Sequence, residues 1–318
     1  MTNSINTNTS AMTALQSLNA TNRTLAKTQS AIATGLRVAS ASDNAAYWSI
    51  ATTMRADNKA LSTVQDALGL GSAKVDIATS GLEASISVVS EIKAKLVAAR
   101  EPGVDKSKVQ VEIAELKNQL SSIAESSSFN GVNWLQNDTA ASAGTEEIVS
   151  SFSRDANGNV TVSTIQVNVS ATTLIGTDNE NFGLLTRSVD GNSATAVTNY
   201  RLIDVVGQTT AATGTVITLS VGTTDAVLDQ MIQATDAIIE SLTTAGSDIG
   251  SAKSRVDLQK DFVAKLMDSI ESGISSLVDA DLSEESTKLQ ALQAQQQLGI
   301  QALSIANSNT QNLLQLFN

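Results

Sequence analysis

A seven-residue apolar repeat of unusual length constrains this chain more than any other feature. Between residues 228 and 277 it runs Leu228, Met231, Thr235, Ile238, Leu242, Ala245, Ile249, Ala252, Val256, Gln259, Val263, Leu266, Ile270, Gly273, Leu277. The steps of three and four alternate without a break, and 12 of the 15 positions are apolar. Such a repeat is a coiled-coil seam. At 1.5 Å per residue it predicts a helix on the order of 75 Å long. A second seam reads Leu61, Val64, Leu68, Gly71, Val75, Ala78, Leu82, Ser85, Val89, Ile92, Leu96, Ala99. Its helix should begin near Asp43, with Ser42 or Asp43 capping the first amides. It should stop at Glu101-Pro102-Gly103, which holds the only proline of the 318 residues. A shorter stripe follows at Val109, Ile113, Leu116, Leu120 and Ile123. Two helices joined by a tight turn make an antiparallel hairpin, and the 228–277 helix supplies a third partner. Many seam residues are Ala, Gly, Ser or Val, which bury little area each, so such a rod needs neighbours.

Composition removes several functions at source. The chain has no His and no Cys, so a Ser–His–Asp triad, a Cys nucleophile, a zinc finger and a disulfide framework cannot be built. No cofactor and no enzymatic activity are expected. A net charge of −12 argues against a phosphate-binding groove for nucleic acid. There is no 18-residue apolar window, so no membrane insertion is expected, and no basic residue with a following apolar run marks a cleaved secretory signal.

Between about residues 138 and 223 the texture changes. Lys and Arg become rare, and Thr, Val, Ser, Asn and Gly dominate. Asn159-Val160-Thr161-Val162 and Thr215-Val216-Ile217-Thr218-Leu219 alternate as half-exposed strands do. Asn157-Gly158 and Asp190-Gly191 read as hairpin turns, and Asn130-Gly131 marks the exit from the helical part. The fold class expected is mainly α: a long helical rod of coiled-coil type formed by N- and C-terminal segments, with a small β-rich inserted domain.

Both ends lack charge. Residues 1–22 and 289–318 contain no Asp, Glu, Lys or Arg, although charged residues make up about a quarter of an average chain. Leu15, Leu18, Leu25, Ile32 and Leu36 form a seam interrupted by Asn22 and Gln29. Leu282, Leu289, Leu292, Leu303, Ala306, Leu313 and Phe317 form another, amid many glutamines. Two amphipathic helices from opposite ends can therefore pair. Solvated helix faces normally carry both signs of charge, which limits self-association. Amides can be buried against amides at modest cost. A bare Gln/Asn face is thus suited to being covered, or to lining a wet channel, in an assembly of many copies. The ends of a lone subunit are expected to be disordered and to fold on assembly.

The run Leu36-Arg37-Val38-Ala39-Ser40-Ala41-Ser42-Asp43-Asn44-Ala45-Ala46 resembles a loop of bacterial flagellins, as do Asn6-Thr7-Asn8 and Ala14-Leu15. Glu284-Glu285-Ser286-Thr287-Lys288-Leu289-Gln290-Ala291-Leu292-Gln293 and Ala302-Leu303-Ser304-Ile305-Ala306-Asn307 resemble the C-terminal signature of that family. The likeness covers residues 1–137 and 224–318 and is closest to alphaproteobacterial flagellins with a short middle. It implies a homopolymer of flagellin subunits outside the cell: the helical propeller filament. It also implies export unfolded by the flagellar type III apparatus, a chaperone on the C-terminal segment, a filament cap and hook-junction proteins as partners. Residues 1–42 with 279–318 would form an inner tube, residues 43–137 with 224–278 an outer tube, and residues 138–223 a variable surface domain. Candidate assembly contacts are Leu15, Leu18, Leu25, Ile32 and Leu36 on the first helix, and Arg37, Asp43 and Asn44 in the loop. On the last helix they are Leu289, Leu292, Leu303, Ile305, Asn307, Leu313, Leu316 and Phe317. Tyr47-Trp48 stands where many flagellins have small residues, so packing there is expected to differ.

Other motifs read more plainly. Asp155-Ala156-Asn157-Gly158-Asn159 is a turn, since Gln166 stands where a calcium loop needs its last carboxylate. Asp281 and Glu284 form a capping box for the last helix. Asn137-Asp138-Thr139, Asn159-Val160-Thr161 and Asn168-Val169-Ser170 fit a glycosylation pattern by chance. Arg37 and Asp43 either take part in assembly or stabilise a bend between helices. A hook–filament junction protein is the alternative function. A pore-forming toxin would want Lys or Arg on its polar helix face, and an enzyme in the middle segment would want clustered carboxylates.

Overall fold

A computed structural model describes residues 8–137, 144–155, 157–190, 199–205 and 210–315; the side chains of residue 137 and of 309–315 are outside it. Five helices carry most of the chain: α1 (Thr9–Thr34), α2 (Ala45–Ala98), α3 (Lys106–Ser126), α4 (Asp225–Val278) and α5 (Leu282–Gln315). Among the described residues, nine strands lie between α3 and α4. They are β1 (Ser128–Phe129), β2 (Val132–Asn133), β3 (Gln136–Asn137), β4 (Thr145–Arg154), β5 (Val160–Asn168), β6 (Ile175–Gly176), β7 (Val189–Asp190), β8 (Asn199–Arg201) and β9 (Thr215–Val216). The fold is mainly helical with a small strand-bearing middle, as the periodicity predicts. It divides into two compact units, residues 60–265 and residues 1–59 with 266–318.

In the 60–265 unit, every position of the Leu61–Ala99 seam is buried, and so is every α4 seam position from Leu228 to Val256. The polar seam residues are satisfied within their own helices: Ser85 donates to the Gly81 carbonyl at 2.7 Å and Thr235 to that of Met231 at 2.7 Å. Ion pairs fix an antiparallel register. Arg100–Asp229 (2.8 Å), Lys93–Asp236 (2.5 Å) and Asp76–Lys253 advance by equal steps along α2 and back along α4. Each exposed pair contributes only about 0–1 kcal/mol; the buried seam supplies the stability. The turn at Pro102 ends α2, and Lys95–Glu112 (2.6 Å) ties α2 to α3.

The middle segment opens with a hairpin. Asn130 (φ 50) and Gly131 (φ 81) join β1 to β2, the two left-handed residues of a type I′ turn. In the β4–β5 hairpin the Asp155 carboxylate accepts from the amides of Asn157 and Asn159, so this loop is a turn built around one side chain. One expectation needs correcting. Val160 and Val162 are both exposed, and alternation with burial begins only at Ile165 and Val167. Among the described residues nothing covers the far half of this two-stranded ribbon, so its pattern reports strand propensity, not a core. The turn expected at Asp190-Gly191 and the pattern at Asn137-Asp138-Thr139 fall partly outside the described residues.

Trp134, Leu135, Leu174, Leu185, Leu202 and Ile217 form the buried centre of this segment. It reaches α2 where Gly81 leaves room: a Cβ there would meet Leu135 Cδ1 at 2.4 Å and Ser127 Oγ at 2.5 Å. The side of α3 holds the chain leading into α4. Lys106 Nζ donates to the Thr223 carbonyl at 2.6 Å, Lys117 Nζ to that of Ile217 at 2.5 Å, and Gln110 Oε1 accepts from the Leu219 amide at 2.5 Å. Burial pushes the Lys117 ammonium down to about 8, with Asp204 opposing the shift. Above that pH the folded chain has released a proton that the unfolded chain still binds, so stability rises as pH increases toward the unfolded value of 10.5. Burial raises the Tyr200 phenol, which acts in the opposite sense. Urea unfolding of the native chain against Lys117→Met isolates the lysine. The native-minus-variant difference should grow from pH 8 upward by at most about 1.4 kcal/mol per pH unit. A flat difference would mean that Lys117 is not held in a desolvated site.

Candidate assembly surface

The other unit contains α1, α5 and the loop joining α1 to α2. Asn8 caps α1 by accepting from the Ala11 amide at 2.9 Å, and Gly35 ends it in the left-handed conformation at φ 71. The backbones of α1 and α5 approach within 8 Å repeatedly. A Cβ on Gly299 would stand only 3.2 Å from Leu18 Cδ1. Amides bridge the pair: Gln296 Nε2 donates to Asn22 Oδ1 at 2.8 Å, and Asn8 Nδ2 to the Ala306 carbonyl at 2.9 Å. Both segments are therefore helical and paired in a single chain, where the composition suggests disorder. A close-packed heptad seam with bridging amides provides local partners that the missing charges do not.

The seam differs from the expected one by a rotation. On α1 the side turned from solvent carries Ala11, Ala14, Leu18, Thr21, Leu25, Thr28 and Ile32, with Thr28 only 2% exposed. Leu18, Leu25 and Ile32 lie where expected. Leu15 is 48% exposed, and Asn22 and Gln29 are exposed with it. The small residues Ala14, Thr21 and Thr28 take the alternate positions because α5 lies too close for larger ones. On α5 the inward stripe runs Glu285, Leu289, Leu292, Gln296, Gly299, Leu303 and Ala306, while Leu282, Ile305 and Asn307 are exposed. Only the helical backbone of Leu313 is described, and Leu316 and Phe317 lie outside the described residues.

The loop is held by main-chain and side-chain bonds. Leu36 bridges to Asp279, Arg37 and Val38 donate their amides to the Val278 carbonyl, and the Ala280 amide donates to Gly35. The Arg37 guanidinium donates to the Leu277 carbonyl at 3.0 Å, a cation on the unsatisfied last turn of α4. Asp43 does not cap α2. Its carboxylate takes Lys27 Nζ at 3.0 Å and the Ser40 amide at 3.2 Å, and the Lys27 contact, then Ser40, hold its pKa below the ordinary value. The cap is Asn44, whose Oδ1 accepts from the amides of Ala46 and Tyr47. Val38, Ala51, Ile274 and Val278 form a small buried cluster beneath the loop, flanked by Leu36, Met54, Ile270 and Leu277. The strict repeat places Gly273 and Leu277 there instead. A straight helix drifts against a seven-residue repeat, and a new partner sets the face.

The nearby carboxylates serve the helix ends. Asp281 caps α5 by accepting from the Ser283 and Glu284 amides, Asp279 takes the Ser275 hydroxyl, and Glu285 pairs with Lys288 at 3.2 Å. Among the described residues no group of three or more acidic side chains is placed to hold a metal, and no helix is long and apolar enough to cross a membrane. Outside this surface, sequence reasoning missed Glu180, buried with Arg201. The available signal was the scarcity of arginine in the middle segment.

Residues 5–140 match the bacterial flagellin N-terminal helical region, and residues 232–317 match the bacterial flagellin C-terminal helical region. Flagellin C of Rhizobium meliloti (strain 1021) is 52% identical over 99% of both chains. Flagellin A of Rhizobium meliloti is 45% identical, and a flagellin of Brucella melitensis is 43% identical, each over 99% of both chains.

Proposed function

Because the chain belongs to the bacterial flagellins and is a structural subunit of the flagellar filament, we propose how its parts divide that work. Residues 1–42 with 279–318 form the inner tube, residues 43–137 with 224–278 the outer tube, and residues 138–223 the outer surface. One observation carries this reading. The α1–α5 pair covers a single seam, while its outer faces, which carry no charge between residues 9 and 22 of α1 or from residue 289 onward in α5, leave Met12, Leu15, Leu298 and Ile305 about half exposed or more. Exposed apolar residues on an uncharged surface favour association. Leu18, Leu25, Ile32, Leu289, Leu292 and Leu303 hold each subunit's own pair. Leu15, Ile305 and Asn307 meet neighbours, and Leu313, Leu316 and Phe317 are assigned to the same assembly. Leu36, Arg37, Asp43 and Asn44 set the bend that presents the pair. A repeated contact between unlike patches that does not close generates a helical polymer. Subunits leave the cell unfolded through the flagellar export apparatus with a chaperone on the C-terminal segment, and add beneath a cap onto hook-junction proteins. Nothing in the matches favours a junction protein itself.

Electron microscopy of the purified chain under polymerising conditions tests the reading, and an absence of filaments would overturn it. Arg37→Glu tests the bend. It removes the guanidinium from the α4 terminus and sets a carboxylate beside like-charged carbonyl dipoles, a change of about 1–2 kcal/mol. Filament yield should fall while the circular-dichroism signal of the 60–265 unit persists. Normal filaments from this variant would leave Arg37 with a purely local role.

A further inference from the structure

The chain has five methionines and no Cys, so a peroxide meets no thiol and its sulfur targets are thioethers alone. Susceptibility follows exposure, and the methionines differ sharply in it. Met12 is 61% exposed, whereas Met231 is 4% exposed in the α4 seam and Met54 and Met267 are half-buried. Met54 is also packed against α4: a Cβ on Gly273 would stand 3.0 Å from Met54 Cε. Met1 lies outside the described residues. Met12 shares a shallow groove on α1 with Leu15, Gln16 and Asn19, within the stretch of residues 1–22 that holds no Asp, Glu, Lys or Arg. Its helical neighbours Ala11 and Ala14 are the ones turned from solvent. The Met12 thioether is therefore no part of the seam that holds α1 to α5.

We infer that Met12 is an oxidation switch for assembly: a hydroperoxide converts it to the sulfoxide, which leaves the subunit folded but unable to join the filament. With hydrogen peroxide, a sulfur lone pair attacks one peroxide oxygen, an S–O bond forms and the O–O bond breaks. The second oxygen leaves as water, taking the proton of the first; sulfur loses two electrons and the peroxide gains them. The product replaces a flexible apolar side chain with a polar one. In the lone subunit the new oxygen keeps its water. Covered by a neighbour, it is stripped of that water in a stretch with no cation to pair with it. The inference rests on the reading of this face as a filament contact and adds a chemical control to it.

The test treats the unpolymerised full chain with dilute hydrogen peroxide and locates sulfoxide by tandem mass spectrometry of tryptic peptides. Met12 should be converted several-fold faster than Met54, Met231 and Met267. Treated subunits should keep their helical circular dichroism, while their critical concentration for filament growth rises about tenfold or more. The two methionine sulfoxide reductases, one for each sulfoxide epimer, should restore it. Met12→Leu keeps an apolar side chain of similar volume, so it should polymerise equally well before and after peroxide; this separates Met12 from Met1 and from every other methionine. Treated native chain that polymerises like untreated chain, conversion of Met12 no faster than of the others, or an equal loss in Met12→Leu overturns this inference alone. Absence of filaments from untreated native chain overturns the filament reading and this inference with it.

Discussion

Removing residues 289–318 should abolish filaments while leaving a largely helical subunit. The deletion takes Leu289, Leu292, Gln296, Gly299 and Leu303 from the α1–α5 seam, and with them the partner of Leu18, Leu25 and Thr28. Helix α1 is then a lone helix of 26 residues, six of them β-branched Thr, with its tertiary partner removed. Helices α2, α3 and α4, of 54, 21 and 54 residues, keep most of their buried seam. Circular dichroism should thus retain most of the helical signal, while electron microscopy finds no filaments where the intact chain forms them. Filaments of normal length from the truncated chain would sink the assignment of the ends to assembly.

Glu180→Ala should destabilise the middle segment by about 3–5 kcal/mol, the usual cost of stripping one partner from a buried ion pair. Glu180 is fully buried. Its carboxylate pairs with the Arg201 guanidinium and accepts from the amides of Val205 (2.9 Å) and Ala212 (2.7 Å). Arg201 also holds Asp204 at 2.8 Å. One side chain thus satisfies three donors from two separate stretches, in a region whose strands are mostly two or three residues long. Without it two amides lose their acceptor, and the mostly buried guanidinium keeps only Asp204 and the Ala212 carbonyl. Limited proteolysis should cut the variant between residues 145 and 219 well before the native chain, and its melting temperature should fall by roughly 10 °C. Glu180→Gln, which keeps an acceptor oxygen, should lose less. Equal proteolysis rates for native and alanine variants would show that the pair is dispensable.

The long helices were legible because their period is. Leu61 to Ala99 and Leu228 to Val256 each keep one stripe inward, and a stripe of that length leaves no other secondary structure open. The chain ends were legible in type but not in rotation. Leu15, Asn22, Gln29 and Ala14, Thr21, Thr28 are rival alternates around Leu18 and Leu25, and α1 alone does not choose between them. Gly299 and the close approach of α5 decide, by leaving room only for small side chains. The cap of α2 was misplaced by one residue for a related reason. Asp43 and Asn44 can both cap, and Lys27, distant in sequence, takes the carboxylate. In the middle segment the strand tendency of Val160 and Val162 was readable, but their exposure was not, because burial depends on what lies across a strand.

Local order thus came from the sequence itself: which segments are helices, where proline and Asn-Gly turns interrupt them, and which stretches lack the charge that keeps surfaces apart. These depend on neighbours a few residues away, and periodicity records them directly. Tertiary structure alone decided which face of α1 and of the end of α4 is buried, that Asn44 and Arg37 close helix termini, and that Glu180 meets Arg201. Each of those depends on groups far apart along the chain, whose meeting is set by backbone approach and competition for partners, and one-dimensional spacing does not encode either.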